Sequence, residues 1–355
     1  MRSSTSSSDV VAGPLRVGLA SLGQLLRWVC ARLWLAAALC ALWIAALALL
    51  GLTRPLAPYG GDHAIVDEQI LRSRALGATD VLLLGDSSGL TAVDPVVLSR
   101  ELGGRSCEML SVIGPVRPPG YARLLRNYLD RGLPLEAAIF VLHPFALMHA
   151  YDESRDGRTL AAVLEDRWPS EGFAGDLRRA LNRHLFAGLL EEPLAGSFGA
   201  LYGNGRELRR ALSEAHGSVV HPGKPLPGAA PRSEPNAAAE PAAIDYRLSD
   251  DGRRSLEHMR DILAPVRGKV PIFVAFAPVP ASIAGEKEAG ARSRLLREVV
   301  RILGLPPERA LELPASLPDE QMVDPTHAAA PGRAAFSARI APLLQRVLGP
   351  APLGR

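Results

Sequence analysis

Apolar and polar positions fall in blocks along this chain, and the blocks predict its elements. The first is Leu33 to Leu52, twenty residues without a charged side chain, about the length an α-helix needs to cross a bilayer. Shorter apolar runs follow at Val81–Leu84, Cys107–Ile113, Ala137–Leu142 and Val270–Ala277, with a brief fifth at Ala310–Leu313. Each is short and apolar on both faces, the pattern of strands buried within a parallel sheet. Between them lie stretches of helical character. These are Asp67–Arg74, Asp94–Leu102, Pro119–Arg131, Asp250–Leu263 behind Ser249 as N-cap, Ala291–Leu303 and Arg333–Leu348. In the last, Phe336, Ile340, Leu344 and Val347 share one face. Strands alternating with helices predict an α/β fold, a parallel sheet covered by helices.

Three stretches depart from that alternation. Residues 1–26 are expected to form a disordered cytoplasmic tail, with Met1–Pro14 rich in Ser, ahead of an anchor over 27–53. Arg2, Arg16, Arg27 and Arg32 precede the apolar run, whereas Arg54 and Arg72 beyond it are accompanied by Asp62, Asp67 and Glu68. That bias predicts a single-pass protein of the cell membrane, held in the bilayer through Leu33–Leu52, N-terminus inside and the rest extracytoplasmic. A cleaved signal peptide, with a shorter apolar core, and a buried helix are the alternatives. Residues 54–77 read as a linker leading to an α/β domain over 78–349. Residues 145–245 read as an insertion. Within it Asp176–Glu192 predicts a helix, either a lid or extra packing against the sheet. Gly217–Ala243, rich in Pro, Gly and Ala, predicts a mobile loop.

Composition narrows the picture only slightly. Over 355 residues the formal net charge is +3, too small and too evenly spread for a nucleic-acid partner. Of three cysteines, Cys30 and Cys40 lie at or in the anchor and Cys107 is alone in the domain, so no disulfide framework is expected there. No His, Cys, Asp or Glu set has metal-ligand spacing, and neither a metal nor another cofactor is predicted.

Two short motifs carry the chemistry. After the first strand, Gly85 permits a sharp turn, and Asp86, Ser87 and Ser88 are good helix starters. A hydroxyl at that corner lies at the C-terminal edge of the sheet, beside helix amides that favour developing negative charge; a plain capped turn would look the same. Near the C-terminus stands Asp324-Pro325-Thr326-His327. A serine nucleophile needs a base, and the base needs a partner that fixes its tautomer. Asp324 as N-cap with Pro325 at the first helical position is the competing reading.

Together these motifs resemble the SGNH/GDSL hydrolase superfamily: Gly85-Asp86-Ser87 after an apolar strand, Asp-x-x-His before the last helix, then small residues and Gly332. The resemblance covers roughly Ala78 to Leu348. It implies a flavodoxin-like three-layer parallel sheet, with Ser87 as nucleophile, His327 as base and Asp324 orienting it. Gly114, after the second strand, corresponds to the family's oxyanion glycine. The family's oxyanion Asn after the third strand is missing, and His143-Pro144 stands there instead. His143 either fills the role or only ends the strand. Such departures resemble the cell-envelope branch, with its alginate O-acetyltransferases and teichoic acid D-alanyl-transfer proteins. The implied activity is acyl transfer through an acyl-serine, O-acylation and in particular acetylation, of a cell-envelope or exported polysaccharide. The implied donor partner is a multi-pass membrane acyltransferase. An esterase using water, and a non-catalytic envelope binding module, are the alternatives.

Overall fold

A computed structural model describes residues 13–49, 61–149, 153–170, 172–173, 205–221, 223–226, 246–284 and 286–350. The chain divides into two units, Met1–Ala57 and Pro58–Arg355.

Among the described residues the first unit is one helix, α1, Gly13–Leu49. Its Gln24–Ala45 window is long and apolar enough to cross a membrane, with a mean hydropathy of 1.8 and no residue buried. The helix begins earlier than the expected tail over 1–26 allows. Residues 15–32 are mostly Leu, Val, Ala and Arg, good or tolerable helix formers, and Pro14 sits in the first turn, where no backbone donor is lost. Residues 1–12 and 50–60 lie outside the described residues.

The second unit opens with α2, Gly61–Ala75, where a linker over 54–77 was expected. Ile65, Val66 and Ile70 of α2 are buried in the core. Gln69 Nε2 donates to the carbonyls of Ser111 and Gly217 at 3.0 and 2.7 Å. The folded unit therefore starts before residue 78, because α2 is held by burial and by these bonds.

From there the chain runs through β1 (Val81–Gly85), α3 (Ser87–Ala92), α4 (Pro95–Glu101), β2 (Cys107–Met109), α5 (Arg117–Leu129) and β3 (Ala137–Leu142). The described parts of the insertion form α6 (Phe145–Met148), α7 (Glu153–Leu164) and α8 (Gly205–Glu214). The alternation resumes with α9 (Asp250–Leu263), β4 (Ile272–Phe276), β5 (Val279–Pro280), α10 (Glu286–Ile302), β6 (Ala310–Leu311), β7 (Ser316–Leu317) and α11 (Ala330–Leu348). Five strands form one parallel sheet in the order β2-β1-β3-β4-β6, and β5 pairs with β7 apart from it. Every residue of β1, β3 and β4 is buried, as unbroken apolar runs require of strands covered on both faces. The ladder of β2 runs past its end, since the amides of Leu110 and Val112 donate to Leu83 and Gly85 at 2.8 and 2.9 Å. Helix α5 packs against α2, α7 and α9, and α11 packs against α3 and α4.

The expected helix over Asp176–Glu192 lies outside the described residues. The expected mobile loop over Gly217–Ala243 is only partly described, and its first part is tied down. Gly217 donates to Leu212, Val219 to Leu90 and Leu226 to Met322, at 2.6, 3.3 and 2.7 Å. A Cβ on Gly217 would lie 2.0 Å from the Met109 carbonyl, so its glycine serves a close approach to β2 rather than freedom of movement.

Candidate active site

The corner after β1 is built by glycines and a cap. Gly85 has φ +150, and a Cβ there would lie 1.9 Å from the Val141 carbonyl; one on Gly89 would lie 2.8 Å from the same atom. Only with both positions bare does α3 start this close to β3. Asp86 caps α3: Oδ1 accepts from the Ser88 amide at 3.0 Å, and Oδ2 accepts from the His143 amide at 2.7 Å. Its role is thus structural, joining the ends of β1 and β3. Burial pushes its pKa up, against the hydrogen bonds from His143, Ser88 and Gly89. Of the two adjacent serines, Ser88 is buried while Ser87 is half-buried.

Ser87 Oγ lies 3.0 Å from His327 Nε2, across 240 positions of sequence. On the other edge of the ring, His327 Nδ1 lies 2.7 Å from Asp324 Oδ2. Asp324 Oδ1 accepts from the Thr326 amide, the Thr326 hydroxyl and the His327 amide at 2.7, 2.8 and 2.9 Å. Asp324 therefore closes a tight side-chain-to-backbone turn and caps no helix; α11 starts six residues on, capped at Ala329 without a side-chain bond. Burial works to raise the Asp324 pKa, but the hydrogen bond and charge of His327 and the Thr326 bonds outweigh it. The carboxyl is held well below the usual carboxylate range. The ionised Asp324 accepts a hydrogen bond from Nδ1–H, which leaves Nε2 as an acceptor for the Ser87 hydroxyl.

His143 sits at the end of β3 with its ring buried. Burial, helped by the charges of Arg292 and His327, pushes its pKa down to about 3, with the Pro325 carbonyl and Asp324 pulling back only part of the way. Nδ1 accepts from the Phe145 amide at 3.2 Å, so the proton of the neutral ring is on Nε2. Nε2 makes no well-formed hydrogen bond among the described residues, although the Pro325 carbonyl lies near enough to act on the ring. Gly114 opens a short turn of 3₁₀ helix beyond β2, its carbonyl 3.4 Å from the Tyr121 hydroxyl; no described hydrogen bond ties it to Ser87, His327 or Asp324.

One residue at the site escaped the sequence reading. The ring of His221, from the insertion, stacks on that of His327, with centroids 5.1 Å apart and planes 20° from parallel. The sequence shows only a lone His ahead of Pro222-Gly223, and nothing local says where that stretch returns. His221, Asp324 and His327 bring ligand atoms within 4.8 Å of one another, a grouping the sequence expectation of no metal set did not foresee. Ring nitrogens offer their lone pairs in the ring plane. Near-parallel stacked rings aim them side by side, not at a shared point, so this grouping does not fit a metal ion.

Neither a family model nor a curated protein matches the chain. The geometry itself carries the functional reading: a hydroxyl, an imidazole acceptor and an ionised carboxylate stand in hydrogen-bonded series, the arrangement that activates a serine for attack on a carbonyl.

Proposed function

We propose that this chain is a membrane-anchored SGNH-like enzyme that transfers an acyl group, acetyl in the simplest case, to a cell-envelope or exported polysaccharide. The observation that carries the reading is the series Ser87–His327–Asp324, with its 3.0 and 2.7 Å contacts. The sheet order β2-β1-β3-β4-β6 supports it. That is the order of flavodoxin-like doubly wound sheets, whose sites lie beyond the C-terminal strand ends near the β1/β3 switch point. Ser87 follows β1 and His143 follows β3. Helix α1, with arginines preceding its charge-free part, supports an anchor with the N-terminus inside. A reporter fused after Arg355 should be active outside the cytoplasm, and activity confined to the cytoplasm would remove the topology.

In this reading Ser87 Oγ attacks the ester carbonyl while His327 Nε2 takes its proton. The tetrahedral intermediate collapses, and the leaving alkoxide receives that proton from the imidazolium. An acyl-Ser87 remains. A sugar hydroxyl then gives its proton to His327 and attacks the acyl carbon, and Ser87 leaves with the proton. Asp324 holds the ring throughout and stabilises its charged form. The Nε2–H of His143, which has only the Pro325 carbonyl nearby and no well-formed bond, and the amide of Gly114 are the donors assigned to the oxyanion, His143 standing where the family places Asn. A buried donor without a well-formed bond calls for such an explanation. A multi-pass membrane acyltransferase would supply the acyl group.

The test uses the full chain in detergent with p-nitrophenyl acetate, with and without an oligosaccharide acceptor, beside Ser87→Ala. Ser87-dependent nitrophenol release together with acetylated sugar is the expected result. Release without sugar product makes the protein an esterase. No Ser87-dependent turnover, and no labelling of Ser87 by a fluorophosphonate, would leave the non-catalytic binding module.

A further inference from the structure

The insertion returns to the sheet along the turn that carries the base. His221 pairs its backbone with Ala329, just after His327, and Leu226 donates to the carbonyl of Met322, just before Asp324. This short segment thus brackets Asp324-Pro325-Thr326-His327 on both sides. Within it the Gly223 amide donates to His221 Nδ1 at 3.2 Å, which orients the ring. A Cβ on Gly223 would fall 2.3 Å from Val323 Cγ1 and 3.0 Å from His221 Nδ1, so the segment is fitted closely to the turn.

The hydrogen bonds of His327 leave one motion open. Bonds at Nδ1 and Nε2 fix the line through the ring but not its tilt about that line. A flat group on one face removes the tilt. The His221 ring lies there, 5.1 Å away and 20° from parallel.

We propose that His221 is a positioning residue for His327, a ring delivered by the insertion that locks the tilt of the base and shields one of its faces from water. This rests on the acyl-transfer reading above. The choice of His has a further consequence. When Ser87's proton reaches Nε2, the imidazolium lies over a neutral aromatic face, a favourable contact. A protonated His221 would instead place a like charge against it. Burial, then the charge of His327, lowers the His221 pKa, with Asp324 opposing; the ring is thus kept in its useful form. The other titratable groups acting here are Asp324 on the turn itself and His143 at the end of β3, with Arg292 of α10 acting on His143.

The experiment measures the rate of fluorophosphonate labelling of Ser87 against pH in the full chain, for wild type, His221→Ala and His221→Phe, each with its melting temperature. His221→Ala should label about ten- to a hundredfold more slowly on the alkaline plateau, the scale of a misplaced catalytic group. His221→Phe keeps a flat cover without a titrating nitrogen. It should stay within about threefold of wild type there, well inside the scale of such a misplacement. His221→Ala labelling like wild type across the pH range would overturn the proposal. So would His221→Phe as slow as His221→Ala while both melt like wild type. If wild type is not labelled at Ser87, the acyl-transfer reading fails by itself. The ¹H–¹⁵N signals of the His327 ring then decide: a shift in His221→Ala that His221→Phe restores sustains the stacked cover, and unchanged signals overturn it.

Discussion

Replacing Asp324 by Asn separates the two jobs of one carboxylate. Oδ1 accepts three donors, from the Thr326 amide, the Thr326 hydroxyl and the His327 amide, while Oδ2 faces only His327 Nδ1. Two of those donors are backbone amides, which cannot become acceptors. The Asn carbonyl must therefore take the Oδ1 place. The reverse orientation would sacrifice about 0.5–1.5 kcal/mol for each of several bonds in order to keep one. The amide NH₂ then faces Nδ1, and the imidazole answers by carrying its proton on Nε2. In that tautomer Nε2 donates toward Ser87 and cannot accept its proton. The turn survives and the base does not. Loss of the correct tautomer in a triad costs on the order of ten thousandfold in rate, about 5 kcal/mol of barrier. The assay is p-nitrophenyl acetate turnover by the full chain from mildly acidic to alkaline pH, with Ser87→Ala as background and thermal unfolding as a check on the fold. Asp324→Asn working within tenfold of wild type, at an unchanged melting temperature, would refute both the tautomer argument and the role given to Asp324.

Two further outcomes follow from the geometry. His143 binds its proton only near about pH 3 in the folded chain, against 6.5 for an ordinary His. The unfolded state thus holds more protons between those values, and stability should rise with pH across that window, by up to about 5 kcal/mol for the whole shift. Denaturant unfolding of wild type and His143→Phe should show a shallower pH slope in the variant; equal slopes would remove the claim. Gly85→Ala would combine a φ of +150 with a Cβ 1.9 Å from the Val141 carbonyl. A loss of roughly 3 kcal/mol or more is expected, a fall of about 6–12 °C in melting temperature, and a change under 2 °C, less than about 1 kcal/mol on that scale, would contradict it.

β1, β3 and β4 were legible because each is an unbroken apolar run of five or six residues; β2 and β6 were found from the longer, mostly apolar stretches that hold them. β5 and β7, at two residues each, are too short for any period to register. Of α2 only Asp67–Arg74 was read as helix, and its first turns were left in the linker, because its apolar residues make almost no stripe. Ile65, Val66 and Ile70 become a core face only once α5, α7 and α8 are there to meet the helix. Ser87, Asp324 and His327 could be picked out because each motif is local and the two chemistries need each other. His221 could not, since its place depends on the path home of an insertion, and no nearby residue encodes that path. The loop expected over Gly217–Ala243 shows the same limit: Pro and Gly read as freedom, whereas Gly217 and Gly223 are glycines because backbone or side chains crowd them.

The 240 positions between Ser87 and His327 also set a clock. Ribosomes add roughly 5–20 residues per second, so the nucleophile is made about 12–48 s before its base exists. Through that interval the corner after β1 can fold with its cap and strand neighbours, yet its hydroxyl has nothing to take its proton. In the acyl-transfer reading, a nascent chain that has not yet reached His327 is therefore inert toward acyl donors, and the chemistry waits on the stretch that carries the base.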